Sequence, residues 1–132
     1  MIVVDASVLA NIVADDGSAG DLARRRLAAA REVSVPDLAD VETVAVLRRR
    51  WLRGDLDERR FRDAIDDLLA LPIARFPVGA FMPRAFELRD NVTAYDACYV
   101  ALAEVLECLL LTADERLAGT PTLTCAVDVL RD

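Results

Sequence analysis

The chain has 132 residues, 55% of them hydrophobic, and a formal net charge of −7, which suits one ordinary domain with enough apolar mass for a core. It has no histidine and no lysine; all 16 basic residues are arginine. That excludes a histidine general base, serine–histidine and cysteine–histidine nucleophiles, histidine-ligated metals, lysine Schiff bases and P-loop phosphate binding.

Met1-Ile2-Val3-Val4 reads as a buried strand, with no basic leader or cleavage signal, so a cytoplasmic protein is expected. No apolar run approaches the 18 residues of a membrane span. A short helix follows from Ser7 to Ala14, then a turn at Asp15-Asp16-Gly17-Ser18. Ser18, with Asp21 three residues on, is placed to cap a helix from Ala19 to about Arg31. Glu32 to Val35 reads as a strand ended by Pro36, and a long helix from about Leu38 to Arg53 stops at Gly54. Asp57 caps another helix to about Leu71, and Ile73 to Phe76 forms a third strand. Phe81 to Arg89 is expected to be helical. Thr93 caps a helix to about Glu107. Cys108 to Thr112 is a strongly apolar strand, Ala113 to Ala118 one helical turn, and the last strand is expected near Leu123 to Cys125. Short apolar strands alternating with helices imply an α/β domain spanning residues 1–132, with a parallel sheet covered on both faces. The three cysteines, Cys98, Cys108 and Cys125, are odd in number, lack ligand spacing, and read as free thiols.

Four acids stand in or beside apolar runs: Asp5, Glu42, Asp96 and Asp114. In open parallel sheets, sites form beyond the carboxyl ends of the strands. Asp5 and Asp114 follow their strands at that edge, and Glu42 and Asp96 lie in first turns of helices expected to start there. Converging carboxylates repel, and a hard divalent cation with oxygen ligands relieves them. Each acid also has a local reading. Asp5 and Asp114 can cap the helices that follow them, and Asp96 can complete a capping box with Thr93. Glu42 has Leu38, Ala45 and Val46 on its flank, an unusual setting for a solvated glutamate; Asp37 and Asp40 are nearby alternatives. Ser7 and Thr112, two residues from Asp5 and Asp114, can orient a carboxylate or bond the local backbone.

Eleven arginines fall between Arg24 and Arg62, as solvated helix faces or as a strip gripping phosphates. A phospho-accepting receiver domain would need a lysine, and a haloacid-type phosphatase an aspartate where Ser7 stands.

Val3-Val4-Asp5-Ala6-Ser7-Val8-Leu9, the Glu42 helix, Thr93-Ala94-Tyr95-Asp96-Ala97-Cys98-Tyr99 and Leu111-Thr112-Ala113-Asp114-Glu115-Arg116-Leu117 resemble PIN-domain ribonucleases, and within that fold VapC-type toxins of bacterial toxin–antitoxin pairs. From Gly54 to Asn91 the likeness rests on length and pattern alone. The resemblance implies a three-layer αβα PIN-like domain with a short central parallel sheet. It also implies an endoribonuclease dependent on Mg²⁺ or Mn²⁺, with RNA as substrate, a cognate VapB-like antitoxin and a homodimer. Asp5, Glu42, Asp96 and Asp114 take the family's acidic positions, with Ser7 and Thr112 as supporting polar groups. Asp5 and Asp96 are expected as direct ligands, and Glu42 and Asp114 as ligands of a second ion or of metal-bound water. A PIN-fold module that binds RNA or protein without catalysis is the alternative. The apolar positions Val44, Leu47, Trp51 and Leu52 serve as core or as a partner groove.

Overall fold

The structure, a computed structural model, describes residues 1–131. Its strands are β1 (Ile2–Val4), β2 (Val33–Pro36), β3 (Ala74–Phe76), β4 (Leu109–Thr112) and β5 (Val127–Val129). Every pairing is parallel, in the order β3-β2-β1-β4-β5. The first strand is therefore central, and Val3 and Val4 are fully buried. The helices are α1 (Ala6–Ala14), α2 (Ser18–Ala29), α3 (Ala39–Leu52), α4 (Glu58–Ala70), α5 (Met82–Glu87), α6 (Ala94–Val105) and α7 (Glu115–Ala118), with a 3₁₀ turn at Val78–Phe81 ahead of α5. Helices α1 to α4 pack on one another, while α6 packs on α5 and on β1, β2 and β4. The result is a three-layer α/β/α fold, as the alternation of strands and helices implied.

The strands end together, so the residues after β1 and β4 emerge at one edge. Ile2 pairs with Leu109 and Val4 with Leu111, which sets Asp5 beside the Thr112–Asp114 segment. Thr93 caps α6 by accepting the Asp96 N–H at 3.1 Å, and Asp57 caps α4 through the Arg60 N–H at 2.7 Å. Gly54 ends α3 with φ +82°, a left-handed conformation that side chains resist.

Two expectations need correction. The last strand is Val127–Val129, not Leu123–Cys125. Apolar character suggested the earlier stretch, but the register of β4 fixes pairing at Leu110 with Val127. The upstream residues are instead tied to α6 and α5: Glu104 of α6 accepts from the Thr124 N–H and hydroxyl, and Arg84 of α5 donates to the Thr122 carbonyl. Helix α2 is not capped from Ser18; its cap residue is Gly17, and Ser18 is its first residue. Asp15 serves the helix start, accepting from the Gly17 and Gly20 N–H groups. A Cβ on Gly20 would stand 1.8 Å from the Asp15 carbonyl oxygen, so only glycine fits this crossing.

The arginine clusters divide. Arg24 donates to the Ile12 and Asp15 carbonyls, and Arg50 to Asn11 Oδ1 at 2.7 Å. Both brace the carboxyl end of α1, where orphan carbonyls attract cations. The apolar strip also divides: Leu47 is fully buried and Val44 packs on the core, while Trp51 and Leu52 are exposed. The Trp51 ring stacks obliquely on Phe61, centroids 6.4 Å apart. Cys98, Cys108 and Cys125 are free thiols.

Candidate active site

Asp5 is nearly buried and sits at the joint between β1 and α1, where it caps the helix. Its Oδ1 accepts from the Ser7 N–H at 3.1 Å, the Val8 N–H at 3.2 Å and the Ser7 hydroxyl at 2.5 Å. Its Oδ2 accepts from the Thr112 hydroxyl. Both hydroxyls in turn accept backbone N–H groups: Ser7 from Ala113 at 3.1 Å, and Thr112 from Asp114 at 3.0 Å. Each hydroxyl proton therefore has one natural destination, the Asp5 carboxylate. The capping and site readings of Asp5 are thus compatible, since capping occupies Oδ1 and leaves room on Oδ2.

Glu42 lies in the first turn of α3 and Asp96 in the first turn of α6. Asp114 caps α7 through the Arg116 N–H. All four acids line one cavity of about 150 Å³, together with Ala6, Ser7, Val46 and Tyr99. The alternative acids stand elsewhere: Asp40 is forked by Arg75 at 2.8 and 3.2 Å, and Asp37 is exposed outside the cavity.

The environments of the four differ. Burial pushes the Asp5 pKa up, against the pull of the Ser7 and Thr112 hydroxyls. Burial also raises Glu42; the Tyr99 hydroxyl tempers that rise, while Asp96 and Asp5 add to it. The two groups stand close, yet neither Glu42 Oε1 nor the Tyr99 hydroxyl, both buried, completes a hydrogen bond. Asp96 is raised by burial and then by Asp114. Asp114 alone is held below the usual carboxylate range, by the Arg116 guanidinium, whose Nε and Nη2 grip its two oxygens at 3.1 and 3.0 Å. Perturbed acids of this kind cluster at functional sites.

Tyr99 and Arg116 were not singled out by sequence reasoning. The usable signal was spacing: Tyr99 follows Asp96 by three residues on one helical face, and Arg116 follows Asp114 by two.

The donor set is entirely hard oxygen, and Glu42 Oε1 is a buried acceptor with no donor. Among the described residues no group of three His, Cys, Asp or Glu side chains is placed to hold a metal by itself. Mg²⁺ keeps several waters and needs only one or two direct carboxylates, so the residues fit such an ion. A larger cavity, about 600 Å³, lies near the α1–α3–α4 corner. Its charges are already matched, Arg60 with Asp16 and Arg53 with Asp55.

Comparison with known proteins bears on the family and the fold. The family described as PIN domain matches residues 2–123. Ribonuclease VapC9 of Mycobacterium tuberculosis is 42% identical over 130 residues, covering 98% of each chain. Ribonuclease VapC1 of the same species is 39% identical over 133 residues, covering 98% of this chain and 97% of the relative. Among solved structures, the fold is similar to M. tuberculosis VapC20, described as a sarcin-ricin loop cleaving toxin, with TM-score 0.71, 20% identity, and 91% and 96% coverage of this chain and that one. It is also similar to a chain of a toxin-antitoxin complex from Klebsiella pneumoniae, with TM-score 0.61, 19% identity, and 92% and 93% coverage. The chain belongs to the PIN-domain family and, within it, to the VapC ribonucleases.

Proposed function

We propose that this VapC-type PIN chain, acting as one domain over residues 1–132, is the toxin of a toxin–antitoxin pair and hydrolyses RNA phosphodiester bonds at the acid cavity. The convergence of Asp5, Glu42, Asp96 and Asp114 on one small cavity, with Glu42 Oε1 buried and unpartnered, carries the reading.

Asp5 and Asp96 would hold a divalent cation, Mg²⁺ or Mn²⁺, directly, with Glu42 and Asp114 acting on a second ion or through its waters. Such an ion, when bound, acidifies a water and neutralises the charge that develops on the phosphate. The chain's own residues prepare the place. Ser7 and Thr112 hold both Asp5 oxygens by hydroxyls whose protons are already directed, so Asp5 does not need to reorganise. Burial raises the pKa values of Glu42 and Asp96, so without a cation these acids hold protons more readily than free carboxylates, and a bound cation would compete with those protons. The wall formed by Val46 and Tyr99 limits water around Glu42, which strengthens charge interactions there.

With no histidine or lysine to activate the ribose 2′-hydroxyl, cleavage is expected to leave 5′-phosphate and 3′-hydroxyl ends. The test is end mapping of a defined RNA after incubation with Mg²⁺, with Mn²⁺ and with EDTA. Cleavage that persists in EDTA, or ends carrying 2′,3′-cyclic phosphate, would overturn the metal-dependent reading.

A VapB-like antitoxin is the proposed partner, and the likeness to a chain of a toxin–antitoxin complex supports it. Arg116 on Asp114 demonstrates that the cavity rim accepts a guanidinium, so a partner's arginine is a suitable plug. The exposed Trp51, Leu52 and Val41 suit a homodimer or antitoxin contact. Among the described residues no helix is long and apolar enough to cross a membrane, which accords with the proposed cytoplasmic location.

A further inference from the structure

We propose that Arg49 and Arg116 are phosphate-gripping residues on two sides of the acid cavity, holding single-stranded RNA across it. This rests on the nuclease reading and adds what positions the substrate.

A chain of net charge −7 must gather positive charge where a polyanion lies. Its other arginines are largely committed. Arg24 and Arg50 hold the end of α1. Arg26 pairs with Asp128, Arg60 with Asp16, Arg75 with Asp40 and Arg84 with Glu104. Arg49 differs. It is exposed, and no hydrogen bond or ion pair engages its side chain among the described residues. It lies two helical turns beyond Glu42 on α3 and one beyond Val46, both of which line the cavity, so the three share a face. Its charge reaches Glu42.

Arg116 stands on the other side. Its side chain is 91% exposed, and its charge reaches Asp96. Asp114 occupies Nε and Nη2, which leaves Nη1 for a second acceptor. A guanidinium carries five N–H donors in a planar fork, so a phosphate can bind the outer edge while Asp114 steadies the inner one. Arg116 also lines a polar hollow of about 200 Å³ with Asn91, Thr93 and Thr120, and the hollow shares Asp96 and Asp114 with the acid cavity. Arg49 stands on α3 with Glu42 and Arg116 on α7 beside Asp114, so the two approach the cavity from different helices. A strand gripped at both rims presents an intervening phosphate to the acids.

The experiment measures anisotropy of a short fluorescent single-stranded RNA with the full chain in EDTA, over a range of NaCl, beside cleavage rates in Mg²⁺. Arg49→Ala and Arg116→Ala are each expected to weaken binding about tenfold, flatten the log–log salt slope by about 0.7, and raise KM more than they lower kcat. Arg116→Lys should recover part of the affinity. Arg25→Ala and Arg62→Ala, also exposed and away from the cavity, should change neither quantity. Unchanged affinity and slope in both cavity variants would overturn the proposal. So would a loss confined to kcat and to Mn²⁺ response in Arg116→Ala, since that is the signature of Asp114 positioning alone. A wild type that binds RNA with the expected slope but never cleaves it would sink the nuclease reading and leave the grip standing.

Discussion

Glu42 and Glu104 are both partly buried glutamates on helices of the same domain, and the molecule treats them in opposite ways. Burial pushes the pKa of Glu104 up, but two bonds from Arg84 at 2.8 and 3.0 Å and two from Thr124 outweigh it, and the carboxyl ends below its usual range. Glu42 has one buried oxygen without a donor, acidic neighbours in Asp96 and Asp5, and a pKa that rises. A carboxylate meant for structure is surrounded by donors. One left short of donors, as Glu42 Oε1 is, suits the cation proposed above. The Glu104 knot pins the approach to β5; the Glu42 cavity stores repulsion.

The sharpest way to test that contrast is to remove one charge from the cavity. Asp96→Asn is expected to lower the cleavage rate about a thousandfold, the scale of losing a few kcal/mol of transition-state stabilisation. Its metal-free melting temperature should be unchanged or higher, because repulsion from Asp114 is relieved. Wild-type cleavage rates would break the assignment. Asp5 is a poorer choice for the same test. Its carboxylate takes both hydroxyls and two N–H groups, so Asp5→Ala should cost stability as well as activity.

The opposite experiment is Glu104→Gln. Loss of the charge opposite Arg84 is expected to reduce unfolding free energy by about 2 to 3 kcal/mol, measured by urea denaturation, with cleavage by the folded fraction little changed. Equal stability would mean that the knot contributes nothing and the contrast is empty. A smaller effect comes from the cation. At about ten times its Kd, Mn²⁺ should stabilise the wild type by about 1.4 kcal/mol, roughly 5 °C in melting temperature for a chain of this size. The shift should vanish in Asp96→Asn and persist in Glu104→Gln.

The smallest effect concerns pH. Asp5, Glu42 and Asp96 have raised pKa values in the folded chain, caused first by burial. The stability they lend is whole below about pH 4 and drains away as pH rises through their folded values. Glu104 and Asp114, held low, lose theirs as pH falls instead. In EDTA, the melting temperature of the wild type should therefore decline relative to Glu42→Gln as pH rises above the ordinary carboxylate range, because burial raises the Glu42 pKa first and Asp96 and Asp5 add to the rise. Thermal scans in both states check this, and Mn²⁺ should close the gap. A gap that does not depend on pH would place Glu42 outside the acid cluster.

The acid positions were legible because each sits where an apolar strand or helix begins or ends, and the alternation of elements brings those ends to one edge. Capping by Thr93 and Asp57 and the stop at Gly54 were legible for a similar reason, since each depends on local chemistry. Long-range matters were not. Leu123 to Cys125 looked more strand-like than Val127-Asp128-Val129, yet pairing with Leu110 and the Glu104 contacts decided the outcome. Ser18 had the composition of a helix cap, but Asp15 reached the Gly17 and Gly20 amides first. Nothing in Arg24 or Arg50 alone distinguishes a brace on a distant carbonyl from a solvated charge. The pairing of Arg116 with Asp114 is local, and the lack of a donor at Glu42 Oε1 became visible only with Tyr99 and Asp96 in place.

The bond from Thr112 to Asp5 spans 107 residues. A ribosome makes Asp5 well before Asp114, so the first carboxylate waits for its companions while the intervening residues are added. An unfinished polypeptide has no fourth acid, no second hydroxyl and no β4 to align them. A nuclease site that needs all four acids, as proposed above, would therefore be assembled only after the Asp114 segment has been made.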